Sequence, residues 1–223
     1  MNRLNNRQYM RVCAGWFLVA FTVLAAGGGC ARLPFTTATI YESPYTQIVL
    51  QREVEPAGYT HPVGFTADQV AALLHGFSLR AEQSVPLRWF AEEQPPQKLL
   101  REDEIARLAT YLVDAFEKAG PNERVHFALS APGINRADAK TVTSGWMAVR
   151  EPFLYVTVEQ FHAEVPIRHS DPYLPNNPQM PPLPGSFLLF FEPGRFWRND
   201  RAGVRALEYR EFLKSASAGP AAP

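Results

Sequence analysis

Two stretches of the chain repeat apolar residues every three or four positions, which is the spacing of one face of an α-helix. In the first, Thr66 and Gln69 form a capping-box signature ahead of the apolar stripe, so we predict a helix over 67–83. In the second, acidic residues crowd the first turn and a glycine–proline pair follows the last, which predicts a helix over 102–119. A shorter helix is predicted near the C-terminus, over 204–213.

Other segments alternate apolar and polar residues, as a strand with one buried face does. Strand-like segments, one of them with an internal turn, lie at 39–54, 85–90, 124–130, 141–150 and 153–161. The apolar run 187–191 predicts a buried central strand. Glu151-Pro152 joins two of the strands closely, which favours an antiparallel pair. We therefore predict an α+β fold, with an antiparallel sheet of about five strands, two helices on one face and a small C-terminal helix.

The first thirty residues have the pattern of an export signal. Arg3, Arg7 and Arg11 precede an uncharged run over 12–26, and three glycines then lead to Cys30. This arrangement resembles the signal of a bacterial lipoprotein. The resemblance implies cleavage just before Cys30, a diacylglycerol on its thiol and an acyl group on the new amino terminus.

The residues around Cys30 leave more than one interpretation open. Gly27 stands where the lipoprotein pattern usually has an aliphatic residue, whereas Ala31 resembles lipoproteins that are passed on to the outer membrane. The same segment is compatible with ordinary secretory cleavage near Ala26 or with an uncleaved helix running from Val12 toward Ala31. Three consecutive glycines weaken the end of such a helix, which disfavours the last interpretation.

The resemblance divides the chain into parts. Residues 1–29 are predicted to be the signal peptide and 30–39 a lipidated tether. A single α+β domain follows over 40–214, and 215–223 is predicted to be a disordered tail. The membrane is the first expected partner, through the lipid on Cys30.

Charge and cysteine content exclude some classes of partner and cross-link. The chain has 22 basic and 22 acidic residues, and residues 1–29 hold three of the basic ones and no acidic one. The remainder therefore has a formal net charge of −3, which does not predict nucleic-acid binding. The cysteine other than Cys30 is Cys13, which lies within the predicted signal, so no disulfide is expected in the mature chain.

A proline-rich loop is predicted over 166–184, where seven of the 20 prolines lie. Such a segment favours polyproline-like local structure, and loops of this length usually cover a surface or bind something. Tyr173, Leu174 and Met180 are its candidate partner-binding residues.

Aromatic side chains supply a second candidate surface. Phe196 and Trp197 lie beside two arginines on a predicted turn, where they could contact a partner or, together with Trp146, stack on a sugar. The alternative is that both aromatics close the end of the core while the arginines extend into solvent.

One polar cluster has the side chains of a metal or acid–base site, although its spacing matches no known ligand motif: His162, Glu164, His169 and Asp171. The alternative is a solvated strand end and loop. A hydrolase triad of Ser130, His126 and Asp138 is disfavoured, because Ser130 lacks the small residues of a nucleophile elbow.

The leading functional hypothesis is a non-enzymatic interaction module, anchored by lipid on the periplasmic face of the outer membrane. It is expected to bind an envelope protein and to need no metal or cofactor. The rival hypotheses are a periplasmic metal-dependent hydrolase built on the polar cluster and a lipoprotein that binds a small ligand or glycan.

Overall fold

The computed structural model describes residues 34–82, 95–132, 139–166 and 185–217, all of which belong to one compact unit. The helices in this part of the chain are α1 (Ala67–His75), α2 (Glu102–Lys118) and α3 (Tyr209–Ser217), with a single 3-10 turn at Gly194–Phe196. The strands are β1 (Phe35–Glu42), β2 (Thr46–Arg52), β3 (Phe77–Ala81), β4 (Gln97–Lys98), β5 (Glu123–Pro132), β6 (Ala139–Arg150), β7 (Phe153–Pro166), β8 (Phe187–Phe191), β9 (Trp197–Asn199) and β10 (Arg205–Glu208). The α+β class is confirmed.

The main sheet is larger than predicted. Seven antiparallel strands follow the order β1-β2-β5-β6-β7-β10-β9, and three more form a smaller antiparallel sheet, β4-β3-β8. The expectation of about five strands was therefore wrong. The segment predicted over 39–54 supplies two strands, and β9 and β10 are too short to give an alternating pattern. Strand β1 also begins earlier than predicted, at Phe35 inside the predicted tether.

One face of the main sheet carries the hydrophobic core. Val125, Phe127 and Leu129 alternate along β5, and their side chains are buried together with Leu108 and Leu112 of α2. All three helices contribute to the same core. The face opposite this core is called the outer face below.

The start of α1 agrees with the sequence pattern, but its end does not. Thr66 Oγ1 accepts a hydrogen bond from the Gln69 amide at 3.2 Å, and Gln69 Oε1 accepts one from the Thr66 amide at 2.9 Å. The helix ends at His75 rather than near residue 83. A Cβ on Gly76 would overlap the Phe191 ring, so the close approach of β8 explains the glycine.

The observed elements in the C-terminal part of the chain differ from the predicted ones in two ways. The predicted helix over 204–213 is instead β10 followed by α3, because Leu207 pairs with Leu154 and extends the main sheet. Strand β8 is an edge strand of the small sheet and not a central strand. Helix α3 continues to Ser217, into the predicted tail, and the strand predicted over 85–90 lies outside the described residues.

The long strands give the main sheet two ends. At the proximal end, Phe35 lies opposite Arg52, and Arg52 lies opposite Glu123. At the distal end, β5 finishes at Pro132 and β7 at Pro166. The 13 residue steps of β7 from Phe153 to Pro166 correspond to a length of about 43 Å at 3.3 Å per step, so the two ends are well separated.

Candidate functional site

The outer face carries a row of polar and aromatic side chains. Val125 and Phe127 point into the core, so His126 between them points to the outer face. Strand register places His126 directly opposite Val49 on one side and Trp146 on the other. Three central strands of the main sheet therefore position this row.

These side chains form a hydrogen-bonded and ionic network. His126 Nε2 lies 3.2 Å from Glu159 Oε2, and the Arg124 guanidinium lies 3.7 Å from Glu159 Oε1. Arg124 also donates to Gln51 at 3.1 Å and lies 3.6 Å from the Glu53 carboxylate. The Arg124 side chain is only 13% exposed, so its largely buried positive charge must be compensated by the two neighbouring carboxylates.

The network keeps Glu159 ionised and its neighbours oriented. The hydrogen bond with His126, supported by the charge of Arg124, lowers the pKa of the Glu159 carboxyl although burial opposes this. A carboxylate only accepts, so His126 Nε2 carries a hydrogen. The Arg124 guanidinium stacks on Trp146, 5.0 Å from the ring centroid. We call Arg124, His126, Trp146 and Glu159 the outer-face cluster.

The outer-face cluster offers groups that could recognise a ligand. A partly exposed indole lies among polar groups whose orientation is fixed, an arrangement that fits stacking on a sugar ring. Trp146 was a candidate from the sequence, whereas Arg124 and Glu159 were not predicted. Their signal was the alternation of polar residues with core residues along β5 and β7, and only strand register brings the two strands' polar positions together.

Two of the four residues of the predicted metal cluster, His162 and Glu164, lie in the described part of the chain. His162 has a φ of 47° at a bulge of β7, and its amide donates to Thr143 Oγ1 at 3.3 Å. It lines a distal-end cavity of about 360 Å³ to which Glu164 does not contribute. His169 and Asp171 lie outside the described ranges. Within those ranges, no three His, Cys, Asp or Glu side chains are grouped so that they could hold a metal ion.

The predicted aromatic surface is largely internal. Phe196 is buried in the core, with its ring 5.6 Å from that of Phe212. Trp197 packs edge-on against Phe77 at 5.8 Å, and its indole nitrogen is buried with no hydrogen-bond partner among the residues that the structure describes. Both rings thus help to close the core. The remaining predicted site residues lie outside the described residues: Cys30, Tyr173, Leu174 and Met180.

Comparisons of the chain with protein-family models, with curated proteins and with solved structures found no match. Within the described residues, no helix is both long enough and apolar enough to cross a membrane. The outer-face cluster and the segments that leave the distal end of the main sheet are therefore the features on which a functional argument can be built.

Proposed function

We propose that this chain is a lipid-anchored, non-enzymatic interaction module on the periplasmic face of the outer membrane. The lipid on Cys30 holds it at the bilayer, and the proline-rich segment 166–184 contacts an envelope protein. The observation that carries the proposal is the way in which the folded domain holds both ends of that segment.

The two attachment points lie on well-packed structure. Strand β7 carries the chain to Pro166 at the distal end, and the chain returns at Gly185, whose amide donates to the Glu159 carbonyl at 2.8 Å. Strand β8 then pairs with β3. The seven residue steps of β7 from Glu159 to Pro166 correspond to about 23 Å.

The segment between these points is longer than a connection requires. Its 18 residues, 167–184, have a contour length of about 56 Å in polyproline geometry, more than twice the 23 Å along β7. Prolines restrict the unbound chain, so less entropy is lost when such a segment is ordered against a partner. Fixed ends, excess length and proline content together favour a contact surface over a simple connection.

The loop hypothesis is tested by replacing 174–182 with a shorter Gly/Ser linker in the intact lipoprotein. We expect the melting temperature to change little and a partner captured by mild crosslinking in native membranes to be lost. A large fall in melting temperature would instead show that Leu174 and Met180 pack against the domain and that the segment is structural cover.

The anchor hypothesis is tested by Cys30→Ser. The variant is expected to lose incorporation of a labelled fatty acid and to leave the membrane fraction. Cys13→Ser is the matched control, since it changes the other cysteine of the chain and should leave the label in place. Unchanged labelling of the Cys30→Ser variant would refute lipidation at this residue.

A second candidate function is glycan binding at the outer-face cluster. It is favoured by the partly exposed Trp146 ring beside the oriented side chains of Arg124 and His126. Titration with soluble oligosaccharides should change the tryptophan fluorescence of the protein, and Trp146→Phe should abolish that change. Trp197→Phe is the control, because its indole nitrogen is buried, and an equal effect of the two variants would argue against this site.

A further inference from the structure

The proximal end of the main sheet is tied closely to the proposed lipid anchor. Strand β1 begins at Phe35, five residue steps after Cys30. Each step adds at most about 3.6 Å, so the two Cα atoms lie within about 18 Å of each other whatever the conformation between them. This covalent limit is tightest at the proximal end, because every other residue of the sheet lies farther along the chain from Cys30.

Exposed apolar side chains lie at the same end. Phe35 is 55% exposed at the start of β1, and Val54 is 44% exposed just after β2 ends beside it. An apolar side chain in such a position gains free energy by entering the interfacial region of a bilayer. The neighbouring charges are of both signs, with Arg52, Glu55 and Glu123 at this end, so an anionic lipid surface is not specifically favoured.

We propose that the proximal end rests on the phospholipid surface, with Phe35 and Val54 in contact with the lipid, and that the distal end points away from it. The inference rests on the proposed anchor and adds an orientation to it. Strand β7 rises about 43 Å between the two ends, so Pro166 and the segment that follows it are presented to partners well clear of the bilayer.

The strand directions are consistent with this orientation. Chain entry at Phe35 and the β6–β7 connection at Arg150–Phe153 are proximal, whereas the β1–β2 turn at Tyr45 and the end of β7 are distal. Tyr45 has the same exposure as Phe35, 55%, but lies at the opposite end of the hairpin. It therefore serves as an internal reference for distance from the membrane.

The cysteine content of the chain allows a label to be attached at one chosen position. Cys13 is removed with the signal and the Cys30 thiol carries lipid in the proposed mature form, so a third cysteine is the only free thiol. Val54→Cys and Tyr45→Cys are made separately in the full lipoprotein, labelled with a fluorophore and reconstituted into phosphatidylcholine vesicles that contain a nitroxide-headgroup lipid. We expect the label at residue 54 to lose fluorescence and the label at residue 45 to keep it.

Two outcomes would overturn the inference, and they differ in what else they affect. If the protein floats with the vesicles but both labels are quenched equally, or residue 45 more strongly, the orientation is wrong and the anchor stands. If the protein takes up no labelled fatty acid and does not float, the anchor and the orientation both fail. Each variant's melting temperature is compared with that of the parent protein, and both exposed positions are expected to tolerate the change.

Discussion

A buried histidine gives this fold a defined dependence on pH. His61 is 6% exposed, its ring stacks on Phe116 with centroids 5.6 Å apart, and its Nε2 accepts the Val149 amide hydrogen at 3.2 Å. Burial lowers the pKa of His61 to about 4, although the nearby charge of Glu123 opposes this. The imidazole is therefore neutral in the folded protein over a range in which the unfolded chain binds a proton.

The size of the effect follows from the two pKa values. An unfolded histidine titrates near 6.5, so the folded value of about 4 corresponds to about 3 kcal/mol at 1.36 kcal/mol per unit. The unfolded state binds more protons between these values. The neutral, buried His61 therefore contributes its full amount to the free energy of unfolding above pH 6.5. This contribution falls as the pH falls and is lost near pH 4. About 2 kcal/mol of it should be lost by pH 5.

Urea unfolding followed by far-UV circular dichroism between about pH 7.5 and pH 5 measures this loss. His61→Gln removes the titration and should flatten the profile, even though it also lowers stability at neutral pH. His75→Gln is the matched control, because the His75 side chain is 45% exposed beside Glu102, and it should retain the wild-type slope. A wild-type profile that is flat over this range, or an equal slope in His61→Gln, would refute the argument.

Three further predictions concern packing and charge. Leu108→Ala should cost about 2–5 kcal/mol because the side chain is fully buried, whereas Arg107→Ala should cost less than about 0.5 kcal/mol, as urea unfolding will show; similar costs would mean that the wrong face of α2 was assigned. Gly145→Ala should cost about 1–3 kcal/mol, because its Cβ would overlap the Thr157 carbonyl oxygen, and unchanged stability would mean that β6 and β7 separate easily. Glu159→Gln should lower stability near pH 7 and reduce the stability lost below about pH 4.3, since the lowered pKa stabilises only the ionised form. Acid unfolding curves of the wild type and the variant will test the sign.

The helices show how much local pattern determines. The capping box at Thr66 and Gln69 correctly located the start of α1, and the apolar stripe, acidic first turn and following glycine located α2 to within one residue of its observed end. The sharp β6–β7 connection was likewise correct, because alternation on both sides of Glu151-Pro152 requires only neighbouring residues. These features depend on interactions between residues a few positions apart, so the local sequence pattern predicts them directly.

Other features required the tertiary structure. The end of α1 depends on Gly76 meeting a ring of β8 that lies more than a hundred residues later, and the strand at 205–208 exists because Leu207 meets Leu154 in the main sheet. Neither partner is visible in the local pattern.

The features that bear on function also fall into those set by the sequence and those set by the tertiary structure. The sequence by itself determined the proline-rich composition of 166–184 and the position of Cys30 five steps before Phe35, because both are properties of covalent order. The contact of His126 with Glu159, the stacking of Arg124 on Trp146 and the separation of the two sheet ends were decided only by strand register, since pairing joins residues that the sequence places far apart.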